Sequence, residues 1–286
     1  MAALFGPSGN SQSFYDEGHK STAEAPDWLK ERGLDAFEYS FGRGVRIKED
    51  TAREIGNGFA AQGIVMSVHA PFYINLASTD EEKKKNTLRY FNESMTAAHW
   101  MGAKRVIFHP GSAGGENRDE AFGRALDFFE EIVDEIGSLG YGEVHLCPET
   151  LGKINQLGTL EEVLQLCHID KQIIPAIDFG HLYARTAGGI KGRDDYKRIL
   201  DMMEDELADE RARNFHIHFS HIEYTKQGEK KHRDFKDEGY GPDFAPLAEL
   251  MAERNMQPVV ISESPTMMAE DARTMKDIYL KVKNSL

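Results

Sequence analysis

Cysteine is scarce in this chain of 286 residues, which contains only Cys147 and Cys167. Two thiols set in or near apolar runs build no disulfide framework, and neither has the Cys-x-x-Cys spacing of a zinc site. Both read as core residues of a protein from a reducing, cytoplasmic compartment. Long apolar runs are missing as well. None approaches the roughly 18 residues a membrane span requires, and the opening Met1-Ala-Ala-Leu-Phe-Gly6 is too short and uncharged for a signal peptide. Positive charge is the third deficit: 34 Lys and Arg against 48 Asp and Glu leave a net charge of −14. A surface this acidic repels phosphate backbones, so a purely electrostatic grip on nucleic acid is not the default expectation. Bound divalent metals would offset that charge locally. Acidic runs such as Glu204-Asp205-Glu206 and Asp209-Glu210 read as solvated helix faces.

Short β-like apolar runs alternate with amphipathic helical stretches, the pattern of parallel strands joined by crossover helices. Strands are expected near 3–6, 36–40, 64–69, 105–109, 143–149, 173–178, 214–219 and 258–263. Helices are expected over 81–101, 118–139, 160–168, 195–210, 244–254 and 267–283, with Asp119 and Thr159 as N-caps. Thr159-Leu-Glu-Glu162 has the form of a capping box. No linker, low-complexity tract or strong internal repeat divides the chain. About eight alternations in this length match a single-domain α/β protein with a (β/α)8 TIM barrel over 1–286, with a doubly wound open sheet as the alternative. The long connections 111–117 and 223–241 stand at the face where barrel enzymes bind.

Against that frame of strands, histidines and carboxylates fall at strand ends. His69 closes the third run, His109 the fourth, Glu149 the fifth and Asp178 the sixth, with His181 three residues on. His218 lies in the seventh run and Glu263 ends the eighth. A lone histidine at a strand end is more often a cap or core residue, and Asp178 could simply cap a helix. Glu149 and Glu263 are harder to dismiss, because a buried carboxylate is costly unless paired or bound to metal. Convergence on one barrel mouth would make a metal site. With His232 and the nearby Asp234, the mixed imidazole and carboxylate set suits zinc, manganese or iron better than magnesium or calcium. His216 and His218 share a strand face, so spacing does not choose between them. His145 and His168 read as structural, and His19 and His99 carry no specific signal. Lys226, Lys230, Lys231 and Arg233 form a local basic cluster where a phosphate could be held, or an ordinary solvated loop.

Four motifs in this order, His69-x-Pro-x-x-Ile-Asn-Leu-Ala-Ser78, His109-Pro-Gly-Ser112, Glu149-Thr-x-Gly-Lys153 and Asp178-x-x-His181, resemble the endonuclease IV family of apurinic/apyrimidinic endonucleases. That family lies within the xylose-isomerase-like TIM barrel superfamily, and the likeness runs from about Ile64 to Glu263. The resemblance implies zinc, up to three ions, with Glu149 bridging two of them. His69 and His109 would join one ion, and Asp178, His218 and Glu263 the other. The third would take His181 and a pair from the loop after the seventh strand. Where the family reads Asp-x-His, this chain reads His232-Arg233-Asp234, with Glu229 as a rival partner for His232. The activity implied is hydrolysis of the DNA backbone on the 5′ side of an abasic site, in base excision repair, by a monomer with Glu149 and Glu263 as catalytic groups. Phe72 and Tyr73 would wedge or stack beside the lesion, and Arg233 would contact DNA. The rival expectation is a sugar isomerase or epimerase that uses one ion on Glu149, Asp178, His218 and Glu263. A non-cutting metal-binding barrel is the third.

Overall fold

The computed structural model describes residues 2–286; Met1, where the expected domain range begins, lies outside them. Eight parallel strands alternate with helices: β1 (Leu4–Pro7), β2 (Ala36–Ser40), β3 (Val65–His69), β4 (Arg105–Phe108), β5 (His145–Pro148), β6 (Ala176–Asp178), β7 (His216–Phe219) and, after an inserted hairpin, β10 (Val259–Ser262). One ladder runs β2-β3-β4-β5 and another β1-β10-β7-β6. Parallel bridges between Ser8 and Glu38 and between Glu149 and Ala176 join the two ladders at both seams, so the sheet closes on itself. Closure selects the barrel over the open sheet.

The hairpin is the main departure from the expected layout. The stretch read as a long connection folds into antiparallel β8 (His221–Thr225) and β9 (Gly228–Arg233). Its side chains are mostly polar or charged and few are buried, so apolar periodicity gave no strand signal there.

Crossover helices cover the outside, among them α3 (Glu49–Ala61), α4 (Glu81–Met101), α5 (Arg118–Gly137), α6 (Leu160–Cys167) and α10 (Met268–Lys283). Local chemistry explains their ends. Asp80 caps α4 by accepting from the amides of Glu82 and Lys83, and Gly102 stops it in the left-handed conformation at φ 66°. Thr159 and Glu162 form the expected capping box on α6. The α5 cap is Asn117, two residues before the expected Asp119, because the Asn117 side chain already accepts from the amides of Asp119 and Glu120.

One hydrophobic core runs from Ala3 to Tyr279. Between barrel and helices, Phe91, Phe108 and Phe129 are fully buried and pack ring against ring, with centroids 4.8 and 5.1 Å from Phe108. Each such side chain stabilises the fold by roughly 1.5–3 kcal/mol through burial. Cys147 and Cys167 are buried and free, and burial pushes the Cys147 thiol up to about 12. Among the described residues no helix is long and apolar enough to cross a membrane.

Candidate metal centre

In a parallel barrel all C-terminal strand ends open on one face, so residues far apart in sequence meet there. His69 ends β3, His109 follows β4, Glu149 follows β5, Asp178 ends β6, His218 lies within β7 and Glu263 follows β10. Glu149 is the hub. Its Oε2 lies 3.1 Å from His69 Nε2 and 3.2 Å from His109 Nε2. Its Oε1 lies 3.2 Å from His218 Nδ1 and 3.3 Å from His181 Nδ1. Each oxygen of one fully buried carboxylate therefore faces its own pair of imidazoles.

Asp178 closes the floor. One of its oxygens caps the short helix α7 (Phe179–Arg185) by accepting from the His181 amide at 2.7 Å. The other oxygen stays inside the pocket, 3.3 Å from His181 Nδ1. Glu263 bridges outward, with Oε1 3.6 Å from His218 Nδ1 and Oε2 4.0 Å from His232 Nδ1.

Among the described residues four clusters of donor atoms are each compact enough to surround one ion: His69, His109 and Glu149; Glu149, Asp178, His218 and Glu263; His181, His232 and Glu263; and, deeper in the barrel, Glu38, His216 and His218. The donor chemistry fits a metal. Glu149 Oε1, Asp178 Oδ2 and His218 Nδ1 are buried without any hydrogen-bond partner, a costly arrangement unless a cation accepts them. Several imidazoles are also pinned from behind. His69 Nδ1 donates to the Ala70 carbonyl at 2.7 Å, and His181 Nδ1 to the Thr150 carbonyl at 2.9 Å. His232 Nδ1 meets Ser220 Oγ at 2.8 Å. Such contacts set the tautomer and leave Nε2 lone pairs for a ligand.

Charge in the cluster follows the same geometry. Burial alone would raise the Glu149 carboxyl, but His218 and His109 overcome it and hold the group well below the usual range. Burial pushes Asp178 up to about 6 against the pull of His181, with Glu263 and Glu149 adding to the rise. Burial opposes a charge on His69, yet the hydrogen bond and charge of Glu149 raise it to about 9.

The third cluster corrects the sequence reading. Asp234 is not in the pocket: its carboxylate accepts from the amides of Thr266 and Met267 at 3.0 and 3.1 Å and from the Thr266 hydroxyl, fastening the turn before α10. Glu229 takes the place beside the two imidazoles, 3.5 Å from His181 Nε2 and 3.7 Å from His232 Nε2. Residues three apart on a strand ordinarily face opposite sides. Here the register steps from Tyr224↔Glu229 to Glu223↔Lys231, so Lys230 is a bulged extra residue that brings Glu229 and His232 onto one face. Two glycines seat the hairpin against the barrel. A Cβ on Gly228, at φ 92°, would stand 2.0 Å from the Gly152 carbonyl oxygen, and one on Gly152 would stand 2.6 Å from Glu229 Cβ.

A cavity of about 420 Å³ opens above the centre, lined by Phe72, Lys153, Gln156 and Glu229 beside the histidines. Phe72, at its wall, is 52% exposed, and Tyr73, its ring 5.9 Å from that of Phe72, is 55% exposed. Arg233 is turned away from it, paired with Glu223 and lying 4.8 Å over the Tyr240 ring. Lys230 pairs with the same Glu223, so one carboxylate offsets part of the expected basic cluster locally. His145 sits at the far end of β5, held by the Gln172 carbonyl. Sequence reading missed Glu38, which β2 buries completely beneath the centre, in contact with His216 and His218. A lone carboxylate in an otherwise apolar strand was its only signal.

Comparison with known proteins agrees with this layout. Residues 26–278 match the family described as xylose isomerase-like TIM barrel. An uncharacterised protein of Methanocaldococcus jannaschii is 33% identical over 276 residues, 96% of each chain. A protein of Acholeplasma laidlawii named "Probable endonuclease 4" is 34% identical over 136 residues, 47% of this chain and 42% of its own. Among solved structures, endonuclease IV from Thermus thermophilus superposes with a TM-score of 0.68 at 17% identity, covering 92% of this chain and 96% of that one. An L-ribulose 3-epimerase superposes at 0.69 with 14% identity over 99% and 96%. At such identities these two structures share the fold alone. The chain belongs to the xylose isomerase-like TIM barrel family, and within it resembles the endonuclease 4 proteins in sequence.

Proposed function

We propose that the protein is a metal-dependent phosphodiesterase that hydrolyses the DNA backbone on the 5′ side of abasic sites, with zinc, or else manganese or iron, in up to three places. One observation carries this reading: Glu149 offers one oxygen to His69 and His109 and the other to His218, with Asp178 and Glu263 completing the second group. That is the arrangement of a carboxylate shared between two cations. The sequence likeness to endonuclease 4 proteins supports the same reading.

His69, His109 and Glu149 would hold one ion, Glu149, Asp178, His218 and Glu263 a second, and His181, His232 and Glu229 a third. Ions so bound would lower the pKa of water and neutralise charge developing on a phosphoryl group. The chain's own groups do the remaining work. Glu263 lies between the second and third groups, where its carboxylate can take the proton of an attacking water. Asp178 is fixed for its ion by the His181 amide, from which its other oxygen accepts at 2.7 Å. Phe72 and Tyr73 stack on or wedge between bases next to the lesion. Lys153 lines the cavity and places one permanent cation beside the scissile phosphate. Exposed Arg43 and Arg46 follow the Gly42 turn that packs on Phe72. The working unit is a single barrel, acting as a monomer.

Incubating the metal-loaded protein with a duplex carrying one abasic site tests this directly. A nick on the 5′ side of the lesion that leaves a 3′-hydroxyl is expected; an intact duplex after full loading rejects the proposal. The net charge of −14 favours a second reading, a sugar isomerase or epimerase with one ion on Glu149, Asp178, His218 and Glu263. Metal analysis separates the two, because about three ions per chain fit the nuclease and one fits the isomerase.

A further inference from the structure

Beneath the metal centre lies a buried polar layer that meets it at His218. Glu38, His216 and His218 are each fully buried, at 0% exposure. Glu38 Oε1 stands 2.9 Å from His218 Nε2, and Glu38 Oε2 stands 3.1 Å from His216 Nε2 and 2.8 Å from Ser67 Oγ. On the far side Arg105 reaches the carbonyls of Phe215 and Asn214 at 2.9 and 2.6 Å and comes within 3.5 Å of His216 Nδ1.

Hydrogen-bond accounting narrows the options. Glu38 Oε1, His216 Nε2 and His218 Nε2 have no well-aligned partner of any kind. Leaving buried polar atoms unpaired costs roughly 1–3 kcal/mol apiece. Among the described residues these atoms lie closest to one another, at nitrogen–oxygen separations typical of hydrogen bonds.

We infer that Glu38 is the positioning carboxylate of the metal centre, accepting the Nε2–H of His218 and so turning the Nδ1 lone pair of that ring toward Glu149 and Glu263. Residues of β2 and β7 are thereby coupled across the barrel interior, and His216 and Ser67 steady the carboxylate from its other oxygen. Histidine ligands commonly donate their second N–H to a carboxylate, and loss of that acceptor weakens metal binding roughly 10- to 100-fold. Glu38 touches neither substrate nor ion. Its role rests on the metal reading proposed above.

The test compares zinc affinity, by competition with a chromophoric chelator, in wild type, Glu38→Gln and Ser67→Ala. The amide should weaken the tightest zinc binding roughly 10- to 100-fold. Ser67→Ala, which keeps both imidazole contacts, should stay close to wild type. In parallel, the ¹H–¹⁵N spectrum of the zinc-loaded wild-type protein should show His218 protonated on Nε2, with a slowly exchanging, downfield proton. That measurement decides the matter even if Glu38→Gln fails to fold. Wild-type affinity in folded Glu38→Gln, or a His218 proton on Nδ1, overturns the positioning role while leaving the metal centre intact. A wild-type chain that takes up no zinc overturns the metal reading, and the positioning role with it.

Discussion

Replacing Glu149 by Gln changes one oxygen to an NH2 group at nearly constant volume, so no cavity opens in the fully buried site. What changes is charge. In the native chain four imidazole nitrogens lie within 3.1–3.3 Å of the carboxylate, two on each oxygen. The amide keeps one acceptor for one pair and turns an NH2 toward the other. Removing one partner of a buried ion pair costs about 3–5 kcal/mol. At about 1.4 kcal/mol per tenfold, that is a loss of two to three and a half decades in affinity for each cation sharing the carboxylate. Dialysis against zinc followed by elemental analysis should find the two inner ions missing from Glu149→Gln, and incision of abasic duplex should be lost with them. The control is His145→Gln, at the opposite end of the same strand, whose imidazole binds only the Gln172 carbonyl; it should retain a full metal complement. Equal loss from both variants, or wild-type metal in Glu149→Gln, would refute the hub geometry.

Three further outcomes follow from the same structure. In the chelator-stripped protein His69 is held protonated up to about 9, above its ordinary 6.5. Its contribution to stability is therefore fully present below pH 6.5 and is lost as pH rises through about 9. Thermal melts of the stripped protein should shift downward across that window, and His69→Gln should flatten the trend; a melting temperature that climbs with pH contradicts it. Asp234→Asn should lower stability by about 1 kcal/mol, because the charge-assisted bonds from Thr266 and Met267 become neutral ones, without changing metal content. Glu229→Gln should do the reverse, losing the outermost ion while the melting temperature of the chelator-stripped protein stays unchanged. Phe72→Ala and Tyr73→Ala remove exposed rings, so stability should move by no more than about 0.5 kcal/mol. Binding to abasic duplex should weaken by roughly 1–3 kcal/mol for each base that had stacked, measured by fluorescence anisotropy.

Much of this was legible in the residues because a barrel turns sequence order into spatial order. Each of the eight expected strands overlaps an observed one, and the ligand candidates at their ends face one mouth because parallel strands end on one side. What was not legible was contact across the barrel and away from it. His216 and His218 alternate onto one face, as spacing demanded, and both touch Glu38, but only the contacts of His218 Nδ1 with Glu149 and Glu263 show that His218 reaches the centre while His216 lies below it. The cap of α5 fell to Asn117 because an acidic residue in a first turn and a true capping side chain look alike in sequence. Asp234 seemed the natural partner of His232 at two-residue spacing. The chain leaves β9 at Arg233, however, and sends that carboxylate to Thr266 instead.

The bulge at Lys230 carries the wider lesson. Ligands on barrel strands sit on rigid, doubly buried backbone whose register is set by ladders on both sides. The third cluster draws Glu229 and His232 from a two-stranded ribbon outside the barrel wall, where register can shift by one residue at little cost. A glutamate three residues before the histidine, one methylene longer than aspartate, compensates for such a shift and keeps both donors facing His181. The inner pair of sites and the outer one should therefore respond separately to perturbation. Deleting Lys230 would restore an even register and swing Glu229 away from His232, removing the outer ion while Glu149, Asp178, His218 and Glu263 keep theirs.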